Sequence, residues 1–210
     1  MLTKREAIKV VKKKWTALDI TMGSLFVAMM AVGANITSIA PFMVIGGVPI
    51  TLQTFFAILA GLVLGSRLGA FSMLVYMLLG LAGTPIFAQF KGGAGMLMGP
   101  TFGFIISYIA VAFIVGKMVE MKRTLPMYIA AALTGMAINY IFGTNWMYAA
   151  YVLWFDAPEG FTYTMAWGWM MVPLPKDVIL SVVAGFLGMR LERSVLANSQ
   201  FRRERRKSVA

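Results

Sequence analysis

Cysteine and histidine are both absent from this chain of 210 residues. Without cysteine there can be no disulfide, no zinc-thiolate site and no thiol nucleophile. Without histidine the chain also lacks the commonest metal ligand and the side chain that most often carries protons near neutral pH. The sequence therefore argues against metal-dependent and triad-type catalysis, and we expect no catalytic residues, no metal site and no cofactor.

Charge is scarce as well, at 13% of residues, whereas roughly a quarter of the residues of a soluble domain are charged. Hydrophobic residues make up 60% of the chain and its mean hydropathy is +0.79. A water-soluble fold could not bury so much apolar surface. Because one spanning helix needs roughly 20 apolar residues, the length predicts an all-α integral membrane protein with about six transmembrane helices.

Six apolar runs along the chain are the candidate transmembrane helices. The second and third runs are short and separated only by Ser66 and Arg67, which predicts a tight antiparallel hairpin with its turn at a membrane face. The six runs are Leu18 to Ala40, Pro49 to Gly65, Leu68 to Thr84, Gly99 to Val119, Leu125 to Leu153 and Pro175 to Leu191.

The net charge of +11 is distributed as in a membrane protein, at the ends of the chain and in its loops, and does not predict nucleic acid binding. Basic loops stay in the cytoplasm. If the N-terminus is inside, all of the 19 basic residues except Lys91 and Lys176 fall on the inner side. We therefore expect both termini to be cytoplasmic.

This topology predicts three parts of the chain. Residues 1–16 form a basic cytoplasmic segment, which we interpret as retained rather than cleaved, and residues 17–193 form the six-helix domain. Residues 194–210 form a basic cytoplasmic tail. Anionic lipid of the inner leaflet attracts each basic residue near the membrane surface by about 1 kcal/mol. Membrane lipid is therefore an expected partner of the tail.

The predicted outer connections differ in kind from the basic inner loops. The segments Pro41 to Pro49, Pro85 to Pro100 and Trp154 to Pro175 are rich in glycine, proline and aromatic residues. Irregular backbone at membrane depth is tolerated only where it is buried in protein or lines a cavity. Three such segments on one face predict a lidded pocket that opens to the outside.

Ionisable residues near this pocket are candidates for function, because charge is costly near hydrocarbon. Asp177 follows Pro175 at the start of the last helix, where it could either cap free N–H groups or contact a ligand. Lys176 could reach the membrane interface or the pocket, and Lys91 could be a ligand contact or a solvated loop tip. Asp156 and Glu159 are interpreted as surface charges.

Four neutral polar residues are further candidates, since a buried polar group without a partner costs several kcal/mol. Gln53 lies one turn into the second helix and Gln89 follows the third. Asn139 and Tyr140 lie in the middle of the fifth helix, where hydrogen bonds between helices are the alternative to ligand binding. Four tryptophans could form either an interfacial belt or a pocket wall: Trp146, Trp154, Trp167 and Trp169.

Small residues recur four positions apart in the first helix. Ser24 with Ala28, and Ala34 with Ser38, create a flat strip that lets another helix approach closely. The strip predicts a helix contact, either with another helix of this chain or with a different subunit.

The middle of the chain carries a long composite pattern of glycine, proline and polar residues. It consists of Gly47, Val48, Pro49, Ile50, Thr51, Leu52, Gln53, Thr54, Leu59, Ala60, Gly61, Leu64, Gly65, Gly69, Tyr76, Gly80, Gly83, Pro85, Phe87, Ala88, Gly92, Gly93, Gly99, Pro100, Thr101 and Gly103. With these residues the sequence resembles the BioY family, the biotin-specific substrate-binding subunits (S components) of energy-coupling factor (ECF) transporters. The similarity covers about a third of the chain in the correct order, with weaker agreement around Gly143, Trp146, Pro175 and Asp177.

The resemblance implies high-affinity biotin binding near the outer face of a multi-pass protein in the cell membrane of a prokaryote. The loop between the first two helices would act as a lid. Uptake would require a transmembrane coupling protein and two cytoplasmic ATPases, consistent with the absence of a phosphate-binding loop motif from this chain. The family pattern also implies that Asp177 and Lys91 contact biotin, with Gln53 and Tyr140 as further contacts.

The chain departs from the family pattern beside Asp177. Family members commonly place a lysine one turn later, where this chain has Leu180, so either Lys176 or Lys91 could supply the cation for the biotin carboxylate. Phe102, Phe104 and Asn145 also differ from the usual residues. The main alternative is an S component for a different small vitamin. A membrane enzyme and a scaffolding protein are the alternatives outside transport.

Overall fold

The structure, a computed structural model, describes residues 15–36, 44–45 and 48–196. Most of the predicted terminal segments 1–16 and 194–210, namely residues 1–14 and 197–210, lies outside the described residues, as does much of the expected lid between the first two helices. The helices are α1 (Ala17–Asn35), α2 (Gln53–Leu81), α3 (Phe102–Met121), α4 (Leu125–Leu153), α5 (Tyr163–Met171) and α6 (Leu174–Leu191), with short strands β1 (Val44–Ile45) and β2 (Val48–Pro49).

Helix α2 folds back on itself at Gly65. This residue has φ 78° and ψ 179°, a conformation that is essentially restricted to glycine. The two arms, residues 53–64 and 66–81, run antiparallel, because the Gln53 side chain reaches the Tyr76 hydroxyl at 2.9 Å although the two lie 23 positions apart. The predicted hairpin between the second and third apolar runs is therefore confirmed.

The structure corrects several predicted bounds. Helix α1 ends at Asn35 and not at Ala40, and α3 begins at Phe102 and not at Gly99. The second helix begins at Gln53 and not at Pro49, which pairs with Val44 in the short β-hairpin. The Thr51 hydroxyl accepts the Gln53 N–H at 3.3 Å and favours a turn before the helix. The stretch Trp154 to Pro175, predicted as irregular, contains helix α5, whose Thr162 cap accepts the N–H of Met165.

The two arms of α2 form the centre of the bundle and pack against α1, α3, α4 and α6. The backbone of α2 comes close to α3 at the reversal, where a Cβ on Gly116 would collide with the backbone of Gly65 and Ser66. The Glu120 carboxylate accepts the Ser66 N–H at 2.9 Å and the Ser66 hydroxyl at 2.9 Å. The turn is thus fixed to the C-terminal end of α3.

The outer surface of the bundle is apolar. Helices α1, α2, α3 and α4 are each long and apolar enough to cross a membrane, and the pair α5 and α6, bent by 54°, adds a fifth candidate span. Ile20, Val32 and Ile179 expose 59%, 64% and 64% of their surfaces. Such side chains face lipid in a membrane protein. Counted with the two arms of α2, these segments match the six predicted helices.

The two ends of the bundle differ in charge. The reversal of α2, the end of α3 and the end of α6 lie at one end, where Glu120 contacts Ser66 and Arg123 pairs with Glu192. We call this the basic end. It carries Arg67, Lys117, Lys122, Arg123, Arg190 and Arg193.

Candidate functional site

A cavity lies at the opposite end of the bundle from the basic end. Its wall combines the start of α2, the loop between α2 and α3, the first turns of α3, the middle of α4 and the junction of α5 with α6. The structure brings all seven predicted ligand-binding residues to this one cavity: Gln53, Gln89, Lys91, Asn139, Tyr140, Lys176 and Asp177.

Asp177 is the most enclosed charged group of the cavity, with 8% of its surface exposed. One carboxylate oxygen accepts the Tyr140 hydroxyl at 2.7 Å, and the other accepts the Lys176 ammonium at 2.6 Å. Asp177 lies in the first turn of α6, where its charge suits the helix dipole. Helix α6 has no side-chain capping hydrogen bond, so Asp177 does not cap free N–H groups. Its oxygens are held at the cavity wall by one neutral and one cationic donor.

Lys176 connects two distant parts of the chain. Besides Asp177, its ammonium donates to the backbone carbonyl of Thr51 at 2.8 Å. Thr51 lies just before α2, on the segment that follows the β-hairpin. Lys176 therefore points into the protein and not towards the membrane interface, and it ties the start of α6 to the entrance of α2.

Gln53 belongs to a chain of hydrogen bonds along the cavity wall. Its amide donates to the Tyr76 hydroxyl at 2.9 Å, and that hydroxyl donates to the Ile86 carbonyl at 2.8 Å. The Gln53 amide oxygen accepts the Thr51 hydroxyl at 3.1 Å. These contacts hold the start of α2 and the loop after α2 in a fixed relation.

Asn139 joins three helices beneath the cavity and is 1% exposed. Its amide donates to the Ser107 hydroxyl at 2.7 Å and to the Phe104 carbonyl at 3.3 Å, both on α3. Its oxygen accepts the Thr54 hydroxyl of α2 at 3.0 Å. Hydrogen bonds between helices, the alternative considered for this residue, are therefore present and use both ends of its side chain.

Gln89 and Lys91 reach the cavity from the loop between α2 and α3. Gln89 and Phe90 have positive φ angles of 63° and 52°, which are uncommon for residues other than glycine and cluster at functional sites. The loop is held in place because Asn35 of α1 accepts the Phe90 N–H at 2.7 Å. Both side chains, Gln89 and Lys91, are exposed at the cavity mouth.

Several residues that line the cavity were not predicted from the sequence. Thr51 and Thr54 could have been found, because both belong to the run of residues around Gln53. Tyr108 of α3 carries no comparable signal, since a tyrosine in an apolar helix is common. The apolar part of the wall includes Phe87, Met96, Phe104, Ile105 and Met170.

The four tryptophans considered as a pocket wall do not border this cavity. Trp146 and Trp154 donate to the carbonyls of Gly99 and Met98 at 3.2 and 2.8 Å and brace the end of the loop before α3. Trp169 packs in an aromatic cluster with Tyr151 and Phe161. Their contacts are those of structural aromatic residues near one end of the bundle.

Comparison with known proteins identifies the family. Residues 8–197 match the model of the BioY family, which is most of the chain. The chain belongs to the BioY family.

Two relatives illustrate the similarity. "Putative biotin transporter BioYB" of Bacillus subtilis (strain 168) is 42% identical over 194 residues, which cover 91% of this chain and 96% of that protein. "Probable biotin transporter BioY" of Pyrococcus horikoshii is 38% identical over 176 residues, covering 84% of this chain and 97% of the relative.

The fold has a counterpart among solved structures. The S-component for biotin from an ECF-type ABC transporter superposes with a TM-score of 0.70 at 20% identity, covering 86% of this chain and 96% of that chain. This similarity shows that the BioY chain has the S-component fold. Leu180 stands where a lysine was expected from the family pattern. The cation that contacts Asp177 in the structure is its neighbour Lys176.

Proposed function

We propose that this chain binds biotin in the cavity at the end opposite the basic end, as the S component of an ATP-driven ECF transporter that imports biotin. The observation that carries the proposal is the enclosed Asp177 carboxylate, held by Tyr140 and Lys176 at the cavity wall of a BioY-family chain. The protein would bind and move its ligand without changing it chemically.

The cavity supplies the groups that the parts of biotin require. The N–H groups of the ureido ring need an acceptor, which Asp177 provides, and the ureido oxygen needs a donor such as the amide of Gln53. The sulfur-containing ring and the aliphatic chain need an apolar wall, which Phe104 and Met170 provide. Mostly apolar cavities with a few well-placed polar groups are typical of small-molecule sites.

The neutral polar residues have different roles in this proposal. Tyr140 orients Asp177 and borders the ligand. Asn139 acts mainly through Thr54 and Ser107, because its own donors and acceptor are already used by the protein. It shapes the floor of the cavity more than it contacts biotin.

Energy for uptake would come from partner subunits, a transmembrane coupling protein and two cytoplasmic ATPases. We propose that α1 contacts the coupling protein through the strip that contains Ser24 and Ala28. Both residues are exposed on the bundle surface, and small residues allow close helix packing. Replacing Ala28 with tryptophan should abolish biotin uptake in cells while leaving biotin binding to the purified chain unchanged.

We further propose that both termini and the basic end face the cytoplasm of a prokaryotic cell and that the cavity opens outward. The six described basic residues at the basic end support this orientation through the tendency of lysine and arginine to remain inside. Residues 1–16 and 194–210 would then be cytoplasmic segments near anionic lipid.

The decisive experiment is calorimetric titration of the detergent-purified chain with biotin, with thiamine and riboflavin as controls. Tight binding of biotin alone, at about one molecule per chain, is expected. Binding of a control vitamin in place of biotin would retain the S-component fold and replace the substrate. Binding of none of the three by a chain with a cooperative unfolding transition would contradict the proposal.

A further inference from the structure

The three charged groups of the cavity differ in how many contacts they make with the rest of the protein. The cavity is lined by two ammonium groups, Lys91 and Lys176, and by one carboxylate, Asp177. The wall therefore carries a net charge of one positive unit when the three groups are ionised. A ligand with a single negative charge would neutralise it, whereas a neutral ligand would leave one cation without a counter-charge.

Lys176 is already committed to the protein. Its ammonium contacts the Asp177 carboxylate at 2.6 Å and the Thr51 carbonyl at 2.8 Å, which uses two of its three N–H donors. A ligand carboxylate placed at the third donor would lie beside Asp177, and like charges at such separation repel. This position suits a neutral polar group of the ligand better than an anion.

Lys91 is the other cation, and it is available. Among the residues that the structure describes, no hydrogen bond or ion pair to its ammonium is found. The sequence between α1 and α2, residues 36–52, contains no aspartate or glutamate that could pair with it. Its exposed position at the cavity mouth also lets an anion keep part of its hydration, which lowers the cost of binding.

We infer that Lys91, and not Lys176, binds the carboxylate of the ligand, and that this contact makes the site selective for the free acid over neutral derivatives. The inference rests on the proposed function. It fixes the direction of the ligand, with the ureido ring at Asp177 and the carboxylate at the mouth, and assigns Lys176 a positioning role for Asp177 and Thr51.

The test compares biotin with biotinamide, which differs by the loss of the negative charge, in calorimetric titrations of the full chain. The unmodified protein should bind biotin at least tenfold more tightly than biotinamide. In Lys91→Gln this ratio should fall to about twofold or less, through weaker biotin binding and unchanged biotinamide binding. Lys122→Gln, the same exchange at the exposed basic end, should preserve the original ratio.

Two results would overturn the inference while leaving the proposed function intact. The first is equal affinity of the unmodified protein for biotin and biotinamide. The second is a preference for biotin that survives Lys91→Gln and disappears in Lys176→Gln. Failure of the unmodified chain to bind either compound would instead reject the proposed function, and the inference with it.

Discussion

At the scale of single residues, Asp177 is a charged side chain that is almost fully buried. Its position in the sequence suggested a role near the cavity but did not show this burial. Its two oxygens are held by Tyr140 of α4 and by Lys176, its neighbour on α6. Each oxygen has lone pairs to spare after these contacts. The group can therefore accept hydrogen bonds from a ligand without losing its partners in the protein.

Replacing Asp177 with alanine should weaken biotin binding at least tenfold, about 1.4 kcal/mol, because the acceptor for the ureido N–H groups is lost. The fold should persist, since the freed Lys176 retains its contact with Thr51. Calorimetric titration measures the affinity and a thermal melt checks the fold. Asp156→Ala, in the exposed loop after α4, is the control. An affinity equal to that of the unmodified chain would contradict a ligand role for Asp177.

Asn139 should matter for stability. Asn139→Leu removes the acceptor of the Thr54 hydroxyl, whereas the Ser107 hydroxyl keeps its own bond to the Phe104 carbonyl at 2.8 Å. A buried group left unsatisfied should cost about 1–3 kcal/mol. A clear fall in the melting temperature of the detergent-solubilised chain is expected. Asn145→Leu, on the exposed side of the same helix, should change it little. Equal changes in melting temperature for the two variants would refute the role of Asn139 in joining the three helices.

The sequence singled out most of the charged and amide-bearing side chains that line the cavity and overlooked most of the hydroxyl groups. Asp177, Lys176 and Lys91 stand out because ionisable groups near hydrocarbon are rare. Tyr108 does not, because a hydroxyl group in an apolar helix often bonds to its own backbone or to a neighbouring helix. The pairing of Lys176 with Thr51 spans 125 positions and has no local signal at all.

At the scale of helices and loops, the reversal of α2 depends on one residue. Gly65 has a backbone conformation that a side chain would strain by about 1–3 kcal/mol. Packing adds a second constraint, because a Cβ on Gly116 of α3 would collide with the backbone of Gly65 and Ser66. The hairpin is therefore held by backbone geometry on one side and by packing on the other.

Gly65→Ala should lower the stability of the folded chain by a few kcal/mol at most, in line with this strain, and should be detected as a lower melting temperature. Gly168→Ala is a matched control, since a Cβ there meets no atom within 4 Å. That control should be neutral or slightly stabilising, because alanine favours a helix over glycine by about 0.5–1 kcal/mol. The prediction fails if both variants melt alike.

The helices were predictable from the sequence because length and hydropathy alone define a span. The bounds Leu125 to Leu153 agree with α4 at both ends. Helix α5 was missed because its nine residues are too few for a spanning run, and because glycine and proline surround it. The start of α2 was misplaced because the pairing of Pro49 with Val44 is a strand contact, which hydropathy does not reveal.

At the scale of the whole molecule, the absence of cysteine makes the proposed orientation directly testable. Single-cysteine variants Glu159→Cys, in the loop before α5, and Lys122→Cys, at the basic end, place one thiol at each end of the bundle. In intact cells a membrane-impermeant maleimide should label Glu159→Cys and not Lys122→Cys. Permeabilised cells should show labelling of both. The reverse pattern in intact cells would invert the topology.

The short first arm of α2 also sets a distance. Gln53 at the cavity lies twelve residues before the reversal at Gly65, which at 1.5 Å per residue is roughly 18 Å along the helix. The hydrocarbon layer is about 30 Å thick, so in the proposed orientation a ligand that contacts Gln53 would lie roughly 18 Å from the inner face and part-way across the membrane. Release into the cytoplasm would then require the ligand to cross roughly that distance, the length of one arm of α2.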